Sequence, residues 1–217
     1  MAASPDFDAF GSPCYVLDEA SLRRNLEILS GVSSLTGCRI LLALKGFSMY
    51  SVFPLIGRYL AGITASSLNE ARLGREEMGK EVHTYAPAFS EADFPEILKI
   101  SDHIVFNSFS QWRKFRGQAV EYNKSKGVSV EFGIRINPEY SEIRVPIYDP
   151  CSANSRLGTT LANFEPDELD GISGLHFHTL CEQNSDALLN TVPFVDEKFG
   201  KYRSEEHTSE LQSRITI

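Results

Sequence analysis

The sequence predicts an α/β protein with a parallel sheet, arranged as an incomplete (β/α)8 TIM-type barrel of about six βα units. Short apolar, β-branched runs alternate with longer amphipathic segments, which is the pattern of repeating βα units. Six such units fit the 217 residues, whereas a complete barrel usually needs about 250. The alternative is an open doubly wound sheet, but no Gly-rich dinucleotide or P-loop fingerprint follows the first strand.

The elements are predicted in the following order. Asp18 is expected to cap a first helix that runs to about residue 30. Strands are predicted at residues 39–44, 62–65, 81–85, 103–106, 130–136 and 172–177. Helices are predicted most clearly at residues 67–78, 92–100 and 111–122. The irregular stretch at residues 137–164 is a candidate functional loop.

Composition narrows the class of protein and its partners. The hydrophobic fraction of 42% supports a sizeable core, and the net charge of -8 without a Lys/Arg cluster argues against nucleic acid or an anionic membrane as partner. The four cysteines are widely spaced, and no signal peptide precedes them, so we expect reduced thiols in a cytoplasmic protein. The longest apolar runs are far shorter than a membrane span.

The last fifteen residues differ in character from the rest. Residues 203–217 are polar and lack apolar periodicity, and a reverse translation of residues 203–213 resembles a widely used sequencing adaptor. We therefore expect residues 1–202 to be a partial N-terminal barrel domain and residues 203–217 to be a non-native tail. The alternative is an ordinary polar C-terminus.

Lys45 is the first candidate site residue, because barrel enzymes collect their chemistry at the carboxyl ends of the strands. It ends an apolar run and is followed at once by Gly46, so the strand delivers an amine to a small-residue turn. We expect this amine to be partly desolvated, a condition that makes lysine a nucleophile toward carbonyl compounds. A lysine that simply reaches solvent is the alternative.

Polar residues also occupy the ends of the other five predicted strands. In chain order they are Thr64, Ser66, Ser67, Tyr85, Asn107, Ser108, Arg135, His176 and His178. Ser66 and Ser67 are equally consistent with a helix cap, and Tyr85 with core packing. Arg135 lies among apolar neighbours, and a buried cation requires an anion or another acceptor.

The His176-Phe177-His178 segment has three interpretations. Residues two apart on a strand share a face, so both imidazoles can serve as metal ligands, as in metal-dependent barrel hydrolases. One imidazole can instead stack on a planar cofactor, or both can be hydrogen-bonded near the rim. Because no convincing set of further ligands accompanies the pair, the sequence assigns no metal site.

Several segments together resemble the pyridoxal phosphate (PLP)-dependent decarboxylases of the alanine-racemase fold type. Ala43-Leu44-Lys45 resembles their Schiff-base lysine motif, and GLHFH at residues 174–178 resembles the segment whose final histidine stacks on the pyridine ring. The resemblance covers residues 12–202. The strings LLALKGFSMYSVFPLI, TASSLNEARLG, YDPCSANSRLG and GLHFHTLCEQ are most similar to the carboxynorspermidine branch. Thr64 and Leu180-Cys181 replace an acidic residue and a Gly-Ser pair of many other members.

The resemblance implies a function and a set of cofactor contacts. It implies that Lys45 is the catalytic residue and carries PLP, and that the cofactor is contacted by Ala43, Thr64, Arg135, His176, His178 and Cys181. The implied reaction is decarboxylation of carboxynorspermidine or carboxyspermidine to norspermidine or spermidine, in polyamine biosynthesis.

The resemblance also implies that part of the machinery lies outside residues 1–202. The phosphate loop, the acidic partner of the pyridine nitrogen, a C-terminal β-domain and the second subunit of a homodimer with shared active sites are expected elsewhere. The chain by itself is therefore expected to be inactive, and its open sheet edges to promote aggregation. The alternatives are a non-catalytic, barrel-only PLP carrier and a metal-dependent hydrolase.

Overall fold

The strands form one parallel sheet. The structure is a computed structural model that describes residues 10–202, so the predicted tail at residues 203–217 lies outside the described residues. The strands are β1 (Leu41–Ala43), β2 (Gly62–Ala65), β3 (Glu81–Tyr85), β4 (His103–Phe106), β5 (Glu131–Arg135) and β6 (Gly174–His176). Each pairs with the next in sequence, in the order β1-β2-β3-β4-β5-β6. The predicted fold class, an incomplete (β/α)8 barrel, is confirmed.

Helices precede, separate and follow the strands. They are α1 (Glu19–Thr36), α2 (Phe53–Ile56), α3 (Leu68–Glu77), α4 (Phe94–Ile100), α5 (Phe109–Lys126) and α6 (Ser185–Phe199), of which α2 to α5 lie in the crossovers from β1 to β5. Three begin with side-chain caps, since Asp18, Ser67 and Ser108 accept hydrogen bonds from backbone N–H groups of the first turns of α1, α3 and α5. The cap predicted at Asp18 is confirmed, and Ser67 acts as a helix cap.

Helices α1 and α6 differ from the prediction for identifiable reasons, and the four-residue α2 also lies outside the predicted set. Helix α1 continues past residue 30, because Gly31 stays helical and the left-handed cap is Gly37, at φ 74°. The predicted set does not contain α6, which carries Pro193 in its interior, and an internal proline ordinarily argues against a helix.

The two faces of the sheet have different chemistry, because successive side chains of a strand point to opposite sides. One face packs against the helices through two apolar clusters. One cluster includes Phe106, Trp112 and Phe132, and the other includes Ile63 and Val82. The opposite face, called here the inner face, carries most of the polar strand residues. Lys45 and the polar residues of the following strands therefore project to one side of the sheet.

The four cysteines form no disulfide bond. Cys14, Cys38 and Cys181 are exposed, whereas Cys151 is partly buried. Burial, assisted by the Asp149 carboxylate, raises the pKa of the Cys151 thiol to about 11, so this thiol is protonated at neutral pH.

Within residues 10–202, no helix has both the length and the apolar character needed to cross a bilayer.

Candidate functional site

Arg135 lies at the centre of the candidate site, at the end of β5 on the inner face. It is 4% exposed, and its Nη1 donates a hydrogen bond of 2.6 Å to the hydroxyl of Tyr85. Its Nη2 donates to the His178 carbonyl oxygen at 3.4 Å, and the guanidinium carbon lies 4.9 Å from the Tyr85 ring centroid. The expectation that this buried cation meets an acceptor is confirmed, although both acceptors are neutral.

Tyr85 links Arg135 to Asn107, at the end of β4, and to the long loop. Its hydroxyl donates to Asn107 Oδ1 at 2.9 Å, and this oxygen also accepts from the Gly158 N–H at 2.9 Å. Asn107 Nδ2 donates to the Arg156 carbonyl oxygen at 2.8 Å. Burial raises the pKa of Tyr85 despite the opposing charge of Arg135, so the hydroxyl keeps its proton.

The long loop needs a glycine where it joins this network. Gly158 has φ 81°, and a Cβ built there would lie 2.8 Å from the Ile136 carbonyl oxygen. The sequence indicates that residues 137–164 form a functional loop, but it shows neither the role of Asn107 as its anchor nor the contribution of the loop backbone. The hydrogen bonds that the loop makes through its backbone N–H and carbonyl groups cannot be read from the identities of its residues.

His176 and His178 lie near the same cation. The His176 ring stacks on Tyr85, with centroids 5.5 Å apart and planes inclined by 24°. Burial lowers the pKa of His176 to about 3, and the charges of Arg135, His178 and Lys45 act in the same direction. Burial, followed by the charges of Arg135 and Lys45, lowers the pKa of His178 to about 4. Both rings are therefore neutral at pH 7.

Lys45 follows β1 in a tight turn. The Ala43 carbonyl oxygen accepts from the N–H groups of Gly46 and Phe47, both at 3.1 Å, and this turn presents the lysine at the strand end. The amine is exposed and makes no hydrogen bond or ion pair with any residue between 10 and 202. The expected desolvation of Lys45 is therefore wrong for this structure, because β1 is an edge strand and the inner face beside it is open.

The remaining predicted site residues lie at different distances from this centre. Ala43 is 1% exposed and pairs in register with Thr64, which is partly buried. Cys181 is exposed and lines a separate cavity of about 440 Å³. The other lining residues include Glu142, Arg144, Tyr148, Glu182 and Asp186. In the described part of the chain, no hydrogen bond joins Cys181 to the network of Tyr85, Asn107 and Arg135.

The centre of the inner face has unused hydrogen-bonding capacity and space beside it. Arg135 Nε and His176 Nδ1 are buried without a hydrogen-bond partner. Gly133 and Gly174 pair in register next to them, and a Cβ built on Gly174 would meet nothing within 4 Å. A planar ligand that offers oxygen acceptors to Arg135 suits this arrangement.

Known proteins are similar to most of the chain. No protein-family model matches it. The carboxynorspermidine/carboxyspermidine decarboxylase of Campylobacter jejuni is 43% identical over 196 residues, which are 90% of this chain and 49% of the relative. The carboxyaminopropylagmatine decarboxylase of Synechocystis is 41% identical over 92% of this chain and 50% of its own length. The chain thus spans about half the length of the curated relatives it matches.

A solved structure agrees with these relatives. The crystal structure of carboxynorspermidine decarboxylase from Campylobacter jejuni, complexed with norspermidine, superposes with a TM-score of 0.78 at 41% identity. The match covers 88% of this chain and 47% of that protein. The resemblance to carboxynorspermidine and carboxyspermidine decarboxylases, noted from the sequence motifs, is confirmed.

Proposed function

We propose that this chain supplies the lysine-bearing barrel portion of a PLP-dependent decarboxylase that acts on carboxylated polyamines. The substrates are carboxynorspermidine and carboxyspermidine, and the products are norspermidine and spermidine. The observation that carries the proposal is the inner-face centre, where Arg135 and two neutral histidines lie together, close enough to Lys45 for its charge to lower the pKa of both imidazoles, beside the open space at Gly174. The names of the relatives support the choice of substrate. Activity is expected of a polypeptide of the relatives' length.

The residues present fit PLP as the cofactor. Lys45 is the residue that would bind its aldehyde, and Arg135 has an unused Nε–H and a fixed guanidinium for its oxygens. PLP, when bound, supplies an electron sink for the pair left as the bond to the substrate carboxylate breaks. We assign Ala43, Thr64 and Cys181 to the cofactor surroundings on the basis of the sequence motifs.

The neighbouring side chains fix the orientation of Arg135 and keep the two histidines of the site uncharged at pH 7. Tyr85 fixes the plane of the Arg135 guanidinium through a hydrogen bond and a ring contact. His176 and His178 stay neutral at pH 7, so they present flat rings without adding positive charge beside Lys45 and Arg135. His178 is the residue that we assign to stacking on the cofactor ring.

The assembly and the cellular location belong to the same proposal. We assign the complete enzyme to the cytoplasm as a homodimer whose two subunits share the active sites. The unpaired cysteines support a reducing compartment. The open edges of β1 and β6 support a need for further chain or a partner.

The decisive experiment begins by resequencing the locus across the codon for Tyr202 and expressing the whole reading frame. The purified product is incubated with carboxynorspermidine, and norspermidine is quantified by chromatography. We expect product from the wild type and none from Lys45→Ala. A protein that binds PLP through Lys45 without decarboxylating any carboxylated polyamine would instead be a PLP carrier. Zinc held by the His176 and His178 pair, without PLP absorbance, would favour a hydrolase.

A further inference from the structure

A second polar cluster lies on the inner face near the amino ends of the strands. It consists of Glu81 and His83 from β3, His103 from β4 and Glu131 from β5. His83 pairs in register with His103, and His103 with Glu131, so the side chains lie side by side across three strands. One donor atom each from Glu81, His83 and His103 lies within 4.8 Å of the donor atoms of the other two.

The hydrogen bonds of the cluster leave nitrogen lone pairs available. Glu131 lies 3.3 Å from His103 Nδ1, an arrangement that places the proton on Nδ1 and frees Nε2. Glu81 lies 3.2 Å from His83 Nε2, and Arg39 holds the other oxygen of Glu81. His83 is 3% exposed, and its Nδ1 has no hydrogen-bond partner. A buried nitrogen without a partner requires an explanation.

The two imidazole rings are already close. Their centroids are 3.9 Å apart and their planes differ by 19°. Tetrahedral zinc with ligand bonds of about 2.0–2.1 Å holds its donors roughly 3.3 Å apart. In this cluster, one ligand atom from each of Glu81, His83 and His103 lies within 4.8 Å of the others, so small side-chain movements are needed to surround an ion. His103 and Glu81 are only partly buried, which leaves their side chains freer to rotate than the buried His83.

We propose that Glu81, His83 and His103 form a binding site for a divalent transition cation such as zinc, with Glu131 orienting His103. The ligand set is two imidazoles and one carboxylate, and a carboxylate behind a ligating histidine is the usual supporting contact. The site joins β3 to β4 and lies at the opposite ends of the strands from Lys45. It is therefore independent of the proposed decarboxylase function.

The test uses the protein expressed from the complete reading frame, stripped of metal with a chelator and then titrated with zinc. Elemental analysis and calorimetry should show one zinc per chain. His103→Gln and Glu81→Gln should abolish this binding, and Glu131→Gln should weaken it about 10–100-fold. At free zinc 100-fold above Kd, the wild-type melting temperature should rise, and that of His103→Gln should not.

A matched histidine substitution distinguishes zinc bound at this site from zinc bound elsewhere in the chain. His178→Gln should retain one zinc per chain, whereas loss of zinc from His178→Gln would assign the metal to the His176 and His178 pair and overturn the proposal. Melting curves without zinc show whether His103→Gln folds normally. A normally folded His103→Gln that keeps wild-type zinc affinity, or a wild type that takes up no zinc, would also overturn the proposal.

Discussion

Replacing Tyr85 with phenylalanine tests whether its hydroxyl is the main acceptor for the buried Arg135 cation. The substitution removes the 2.6 Å bond from Arg135 and the 2.9 Å bond to Asn107, and it leaves the ring in place. Arg135 then keeps the His178 carbonyl oxygen, at 3.4 Å, as its hydrogen-bond acceptor among residues 10–202. A hydrogen bond to a charged group contributes about 1.5–3 kcal/mol, so we expect the free energy of unfolding to decrease by that amount.

Thermal and urea denaturation followed by circular dichroism measure this effect. For a chain of this size, each kcal/mol corresponds to about 2–4 °C, so the midpoint should fall by about 3–12 °C. Tyr15→Phe is the matched control, because Tyr15 is 96% exposed and should change the midpoint very little. A Tyr85→Phe midpoint within about 1 °C of the wild type would refute the assignment of Tyr85 as the acceptor that stabilises Arg135.

Three further outcomes are expected. Lys45→Ala in the complete reading frame should abolish norspermidine formation and the PLP absorbance of the purified protein. Gly62→Ala should lower the free energy of unfolding by about 1–3 kcal/mol, because its Cβ would lie 2.1 Å from a backbone oxygen of β3. Gly117→Ala, whose Cβ meets nothing within 4 Å, should instead raise it by about 0.5–1 kcal/mol. The lowered pKa values of His176 and His178 lie below 6.5, so the unfolded chain takes up protons first as the pH falls. The free energy of unfolding should be constant above pH 6.5 and lower at pH 5 by no more than about 2 kcal/mol for each of these partly exposed histidines, as urea titrations across this range would show.

Much of the fold follows from local sequence signals. The bounds of β2, β3 and β4 agree with the predicted strands. β2 and β4 are short, mainly apolar runs, and β3 carries the β-branched residues Val82 and Thr84. The end of α1 could not be predicted, since Gly31 and Gly37 offer the same signal and tertiary context selects Gly37 as the cap. Helix α6 escaped prediction because its packing overcomes the disruptive effect of Pro193.

Only those residues of the candidate site that lie at predicted strand ends could be predicted from the sequence. The residue pattern identifies Arg135 as a buried cation, but its acceptor, Tyr85, lies fifty residues away and is known only from the folded chain. The exposure of Lys45 depends on what covers the edge beside β1, which the local sequence does not encode. The cluster around His83 and His103 depends on strand register, so neither segment indicates it alone.

The division between the two faces of the sheet has a consequence for how this chain can change over evolutionary time. The large aromatic and aliphatic side chains that hold helices to strands lie on the outer side, whereas the inner face carries charged and hydrogen-bonding groups. Substitutions on the inner face therefore leave the helix-packing layer intact. A lineage can accordingly change the chemistry of the inner face without rebuilding the helix packing, provided that it keeps the residues that stabilise the face itself, such as Tyr85. Laboratory libraries that leave such positions unchanged should yield a high proportion of folded variants.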